Sequence, residues 1–140
     1  MARRQVLGEG VARLARDTET PTVIVQLSSG AGKNAYPGWS SYCAAKAAVD
    51  MWVASVGIEQ ADRDHLVRAL SISPGVVATE MQAEIRRSEH EAFPNVERFR
   101  SMHDEGQLAD PTHVGGRIWQ VATTGQWDNG AIVDLRQFDG

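Results

Sequence analysis

A chain of 140 residues has room for one domain, and such a chain buries roughly two-thirds of the surface it exposes when unfolded. A formal net charge of −4 and scattered basic residues argue against an electrostatic nucleic-acid footprint. The single cysteine, Cys43, cannot close an internal disulfide, no run approaches the roughly 20 apolar residues that cross a bilayer, and the N-terminus lacks an apolar signal core. The expectation is a cytoplasmic protein whose partners include neither nucleic acid nor membrane.

Between Ala2 and Arg16 the residues Val6, Leu7, Val11, Leu14 and Ala15 recur at helical spacing, although Gly8 and Gly10 each cost about 1 kcal/mol relative to alanine. After a polar break at residues 17–21, TVIVQL (Thr22 to Leu27) is a β-branched run of the kind buried on both faces of a parallel sheet. Ser28 to Gly38 is a loop by composition. From about Ser40 to Asp62 an alanine-rich helix is predicted, with an apolar stripe of Val49, Trp52, Val53, Val56 and Ile58, and Gly57 as its one poor helix former. VRALSIS (Val67 to Ser73) is a second strand, ended by Pro74-Gly75. Strand, loop, helix and strand make a βαβ unit with parallel strands.

Glu80 to Arg100 reads as one or two helices broken at Pro94, and Asp110-Pro111 places a cap and a first-turn proline before a helix running to about Thr123. Gly130 to Leu135 supplies a short third strand. The fold class is therefore α/β, a partial doubly wound parallel sheet.

The chemistry concentrates in LSSGAGKNAYPGWSSYCAAKAAVDM. Tyr42 and Lys46 are four residues apart on the long helix and share one face. An ammonium about 4 Å from a phenol favours the phenolate by up to about 4 kcal/mol at an effective dielectric near 20. Such a phenol works as a general acid or base. Ser28 and Ser29 stand just past the carboxyl end of a strand, where open α/β sheets place their sites, and a hydroxyl there can hold a substrate carbonyl oxygen.

The ordered set of Ser28-Ser29-Gly30 after TVIVQL, Tyr42-Cys43-Ala44-Ala45-Lys46, Ser73-Pro74-Gly75-Val76-Val77-Ala78-Thr79 after VRALSI, and a closing AIVDL resembles the short-chain dehydrogenase/reductase family from about Val6 to Leu135. AGKNAYPGWSSYCAAKAA and DEGQLADP are most similar to its benzil reductase and sepiapterin reductase branch. The resemblance implies a nicotinamide-dependent oxidoreductase that reduces a carbonyl to an alcohol, with an aromatic or apolar ketone or diketone as substrate. It implies NADP or NAD as cofactor, with NADP favoured by the branch. Tyr42 would be the proton donor and Lys46 the residue that holds the phenol ready and binds the nicotinamide ribose. Ser29, thirteen residues before Tyr42, would orient the substrate oxygen in preference to Ser28. Pro74 and Gly75 would shape the loop at the nicotinamide, with the Val77 backbone and the Thr79 hydroxyl on its carboxamide. Residues 80–110 correspond to the family's variable substrate lid.

The family's opening strand, glycine-rich turn and helix, which receive the cofactor pyrophosphate, have no counterpart. Gly8-Glu9-Gly10 lies in a helix candidate with no strand before it, and the family's active-site asparagine falls where Ala2 and Arg3 stand. The expectation is one partial Rossmann-like domain over residues 1–140 without the nucleotide-binding half. Alone it would be poorly active and either marginally folded or oligomeric. The alternative is a non-catalytic remnant that only self-associates or pairs with full-length chains, or one completed by a separate polypeptide.

The remaining residues have open readings. Tyr36 and Trp39 form an aromatic pocket wall or pack the loop. Met81, Phe93, Phe99 and Met102 line an apolar pocket or pin the lid. Trp52 faces a partner subunit, making a homo-oligomer through the helix around 40–62, or packs in the core. Cys43 has no nearby histidine and fills a helix–sheet contact, His65, His90, His103 and His113 lack metal-ligand spacing, and Asp104, Glu105 and Asp110 form a solvated loop and a helix cap.

Overall fold

The computed structural model describes residues 22–61 and 67–138. The helix expected at Ala2–Arg16, with Gly8 and Gly10, lies outside the described residues. Three parallel strands in the order β1-β2-β3 carry the architecture: β1 Thr22–Leu27, β2 Val67–Ser73 and β3 Ile132–Asp134. The helices are α1 Ser40–Gln60, α2 Glu80–Arg87, α3 Val96–Asp104 and α4 Pro111–Thr123. β1 pairs with β2 from Thr22↔Val67 to Leu27↔Ile72, and β2 with β3 from Ser71↔Ile132 to Ser73↔Asp134.

Alternation along β2 assigns its two faces. Ala69 packs under Val53 and Val56 of α1, while Leu70 and Ile72 join Val114 and Val121 of α4, with Val133 and Leu135, on the other side. The parallel sheet therefore has a helix on each face, which its mostly buried central strand demands. β1 departs from the expectation of a strand buried on both faces: Val23 and Leu27 are exposed. It lies at the edge of the described sheet.

The α1 stripe is also displaced from the expected one. Its buried residues are Asp50, Val53, Val56, Gly57 and Gln60, whereas Ile58 is 77% exposed. Trp52 packs against the cluster of Val53, Val56 and Ala69, which is the core reading of that residue. Gly57 has a steric reason, because a Cβ there would lie 2.5 Å from the Gly130 Cα and 2.6 Å from the Asn129 carbonyl oxygen. The absent side chain lets α1 sit down on the turn that leads into β3. That turn is tied to β2 by Asn129, whose amide accepts from Ala69 N at 2.8 Å and donates to Val67 O at 2.8 Å.

The break between α2 and α3 spans residues 88–95 and is wider than Pro94 alone. Asp110 caps α4 by accepting from His113 N at 2.8 Å, with Pro111 in the first turn, as its sequence requires.

Gly57→Ala sets a gain of up to about 1 kcal/mol in helix propensity against overpacking that costs about 1–3 kcal/mol. The expected outcome is a net loss of stability in urea unfolding. Gly116→Ala on α4, where a Cβ meets nothing within 4 Å, is expected to gain about 0.5–1 kcal/mol in the same assay.

Candidate active site

The carboxyl ends of β1 and β2 open into a cavity of about 720 Å³. Ser28 continues the β1 pairing by donating its N–H to Ile72 O at 2.9 Å, and its hydroxyl is buried without a hydrogen-bond partner among the described residues. The chain then turns through a short 3₁₀ turn at Gly30–Gly32. Ser29 caps that turn, its Oγ accepting from Ala31 N at 3.2 Å, so its own hydroxyl proton is left to donate. Asn34 returns to Gly30 O at 2.9 Å, and Cys43 Sγ reaches Asn34 O at 3.6 Å, tying the loop to the start of α1. The contact is a packing and tethering one, in keeping with the non-catalytic reading of Cys43.

Tyr42 and Lys46 project from the first turns of α1 into the same cavity, with Lys46 Nζ 5.6 Å from the Tyr42 ring centroid. Lys46 donates one N–H to Leu27 O at 2.8 Å, which anchors the ammonium to the end of β1. Two further N–H groups remain for a ligand. One turn along the helix, Asp50 is buried and accepts from the Ser71 hydroxyl of β2 at 2.6 Å. A Cβ on Gly32 would come 2.7 Å from Asp50 Oδ2 and 3.3 Å from Lys46 O, so the serine loop lies flat on α1 between the lysine and the aspartate.

The loop from Pro74 to Thr79 forms the facing wall. Gly75 takes φ +82°, a conformation that glycine adopts without strain. Ala109 bridges to the chain on either side of Val77, its N–H donating to Val76 O at 3.0 Å and its carbonyl accepting from Ala78 N at 2.9 Å. The N–H and C=O of Val77 itself have no partner among the described residues. Thr79 stands at the N-cap of α2, yet its hydroxyl makes no capping bond. Threonine in that place ordinarily contributes about 1 kcal/mol by capping, so the hydroxyl is kept available at a cost to the helix.

Trp39 joins the lid to the site loop. It stacks on Phe93 (centroids 4.3 Å apart, planes 4° from parallel), tilts against Phe99 at 5.6 Å and Tyr36 at 5.8 Å, and meets the Tyr42 ring edge-on at 5.2 Å. The two rings line the cavity and also pack the loop. Phe93 is a lid pin, whereas Met81, Phe99 and Met102 reach the cavity.

Every residue singled out in the sequence for the site stands on this one cavity: Ser28, Ser29, Tyr36, Trp39, Tyr42, Lys46, Pro74, Gly75, Val77, Thr79 and Met81. Gln82, Arg98 and Arg136 line it too and were not foreseen. They come from separate elements with no shared motif, and only folding gathers them. Among the described residues no cluster of side chains has the make-up of a metal site. His103 pairs with its neighbour Asp104 at 3.2 Å, and Glu105 accepts from Gln107 at 2.6 Å, both in solvent.

The short chain dehydrogenase family profile matches residues 10–90. The chain belongs to the short-chain dehydrogenase family. Among curated members it is 43% identical over 115 residues to "Benzil reductase ((S)-benzoin forming)" of Bacillus subtilis, covering 82% of this chain and 47% of that protein. It is 30% identical over 113 residues to sepiapterin reductase of Rattus norvegicus, covering 80% of this chain and 41% of that one. The crystal structure of the KRED1-Pglu enzyme superposes with a TM-score of 0.71 at 36% identity, over 79% of this chain and 46% of the other. The short-chain dehydrogenase chain thus spans about half the length of the curated relatives it matches. These relatives agree with the branch that the loop and lid motifs indicated.

Two outcomes follow from the polar contacts that hold the site together. Ser71→Ala leaves the Asp50 carboxylate buried without its partner and is expected to cost about 1–3 kcal/mol in urea unfolding. Asp134, at the end of β3, accepts from Arg136 Nη2 at 2.6 Å and Nε at 3.0 Å, and this hydrogen-bonded guanidinium holds its carboxyl below the usual aspartate range against the opposing effect of burial. A carboxyl depressed in the folded state stabilises above its unfolded value of about 3.9 and loses that contribution as pH falls through its folded value. Unfolding free energy is therefore expected to drop as the medium is acidified below about pH 4, and less steeply in Asp134→Asn.

Proposed function

We propose that this chain carries the proton-transfer and substrate-holding half of a nicotinamide-dependent carbonyl reductase acting on an aromatic or apolar ketone or diketone. The observation that carries the reading is the convergence of Ser29, Tyr42 and Lys46 on one cavity whose remaining walls are largely aromatic and aliphatic. That cavity suits a flat apolar body with its carbonyl oxygen toward the serine and the phenol.

The residues present fit the nicotinamide end of such a cofactor. The Val77 backbone groups and the Thr79 hydroxyl, unpartnered among the described residues, match the donors and acceptors of a carboxamide, and Lys46 has N–H groups left for a ribose. NADP and NAD are both compatible with these groups, and the resemblance to the benzil and sepiapterin reductases favours NADP. A bound dihydronicotinamide supplies hydride to the carbonyl carbon.

The protein's own part is polar and geometric. The Ser29 hydroxyl donates to the carbonyl oxygen and sets its direction. Tyr42 delivers its phenolic proton to that oxygen as negative charge develops there. Lys46, fixed on Leu27 O, stabilises the phenolate left behind. The Trp39–Phe93 stack ties residues 88–95 to the start of α1 beside the phenol.

A second, non-catalytic reading is favoured by Met51 and Ile58, which α1 presents 68% and 77% exposed to solvent, as an element meant for another chain would. Turnover separates the two. As the proton-transfer half alone, the purified chain is expected to consume NADPH with an aromatic diketone only slowly, and Tyr42→Phe to lower that slow rate by about 10²- to 10⁴-fold with an unchanged circular dichroism spectrum. Absence of both turnover and any fluorescence response to NADPH overturns the reductase reading.

A further inference from the structure

The lid wall of the cavity is apolar except at Gln82 and Arg98. Met81, Ile85, Phe99 and Met102 supply sulfur and carbon, and among them stands Gln82 on the first turn of α2. The residue is 6% exposed, and its Oε1 is fully buried with no hydrogen-bond partner among the described residues. The amide nitrogen likewise makes no hydrogen bond among the described residues. An unpartnered buried amide destabilises a fold, and leucine or methionine would fill the same space without that penalty. The amide therefore lacks a structural reason for its polarity. It does lie on the cavity wall.

We propose that Gln82 is a specificity-determining residue that pairs with a second oxygen of the substrate, while Ser29 and Tyr42 take the reacting carbonyl. This rests on the carbonyl reductase reading above and adds to it the residue that reads the far end of the substrate. The amide Oε1 is sealed from the cavity, so the amide N–H is the group that donates to a second carbonyl oxygen. Arg98 of α3 lines the same side of the cavity and makes no ion pair among the described residues, which adds N–H donors and no competing acceptor. The cavity thus has polar groups on two sides with an apolar span between. Discrimination arises because a ligand without the second oxygen leaves the amide buried and unpaired even when it is bound.

Two probes of nearly the same shape test this: benzil, and deoxybenzoin, which lacks the second carbonyl oxygen. Dissociation constants come from quenching of tryptophan fluorescence, with Trp39 on the cavity wall as reporter, for the wild-type chain, Gln82→Met and Gln82→Leu. Wild type is expected to prefer benzil. Both variants are expected to weaken benzil by about threefold to tenfold, the worth of one hydrogen bond, and to leave deoxybenzoin unchanged or tighter. Their melting temperatures are expected to equal or exceed that of wild type, since a penalty has been removed. Equal weakening of the two ketones, an unchanged preference, or a lowered melting temperature in both variants overturns the proposal, because Gln82 would then only shape or brace the wall. Failure of wild type to bind either ketone refutes the carbonyl reductase reading and this one with it. An unchanged preference between two bound ketones refutes Gln82 alone.

Discussion

The hydrogen bond from the Ser71 hydroxyl to the buried Asp50 carboxylate, at 2.6 Å, is the contact on which the site's geometry depends. Asp50 sits on the helix that carries Tyr42 and Lys46, and Ser71 on the strand that runs directly into the Pro74-Gly75 loop. The same carboxylate abuts Gly32, so the loop bearing Ser29 is pressed against the helix at the only residue type small enough to allow it. The helix that supplies the phenol and the ammonium, the loop that supplies the serine hydroxyl and the strand leading into the Pro74-Gly75 loop thereby meet at one polar contact. A buried carboxylate is expensive unless it is hydrogen-bonded, and that requirement gives the contact its directional force. Apolar packing alone would let the helix slide along the sheet. A short hydrogen bond does not.

Around this contact the protein divides its polar groups into those spent on itself and those kept back. Asn129 spends both ends of its amide on β2, and Asp110 spends its carboxylate on the first turn of α4. Ser28 Oγ, the Val77 N–H and C=O, the Thr79 hydroxyl and the Gln82 amide are left without protein partners among the described residues, and all five residues or groups lie on the same cavity. Gln60 Oε1, Arg86 Nη1 and Trp127 Nε1 are likewise buried without partners among the described residues and lie off this cavity. The aromatic hub at Trp39 contributes the complementary part, an apolar surface that ties the lid to the catalytic helix through ring contacts.

Much of this was legible along the chain because the determinants are local. The periodicity of Thr22–Leu27 and Val67–Ser73, the Asp110-Pro111 start of α4 and the four-residue spacing of Tyr42 and Lys46 each depend on neighbours within a turn or a strand. Elsewhere local reading fell short for identifiable reasons. Ile58 has the hydrophobicity of a core residue but faces solvent, while Asp50 and Gln60 take buried places because the helix is rotated by its contacts with Ser71 and with the Gly130 turn. Gly57 reads as a weak point in a helix until Gly130 is seen against it.

By itself the sequence determined the order of elements, the parallel sense of the sheet and the candidate triad of Ser29, Tyr42 and Lys46, since motif order and spacing are one-dimensional properties. Only the tertiary structure decided which strand is central, which polar groups find partners, and that Gln82, Arg98 and Arg136 share a cavity with Tyr42. Those depend on side chains far apart in the chain being brought within a few ångströms, and no periodicity records the satisfaction of a hydrogen bond across such a distance.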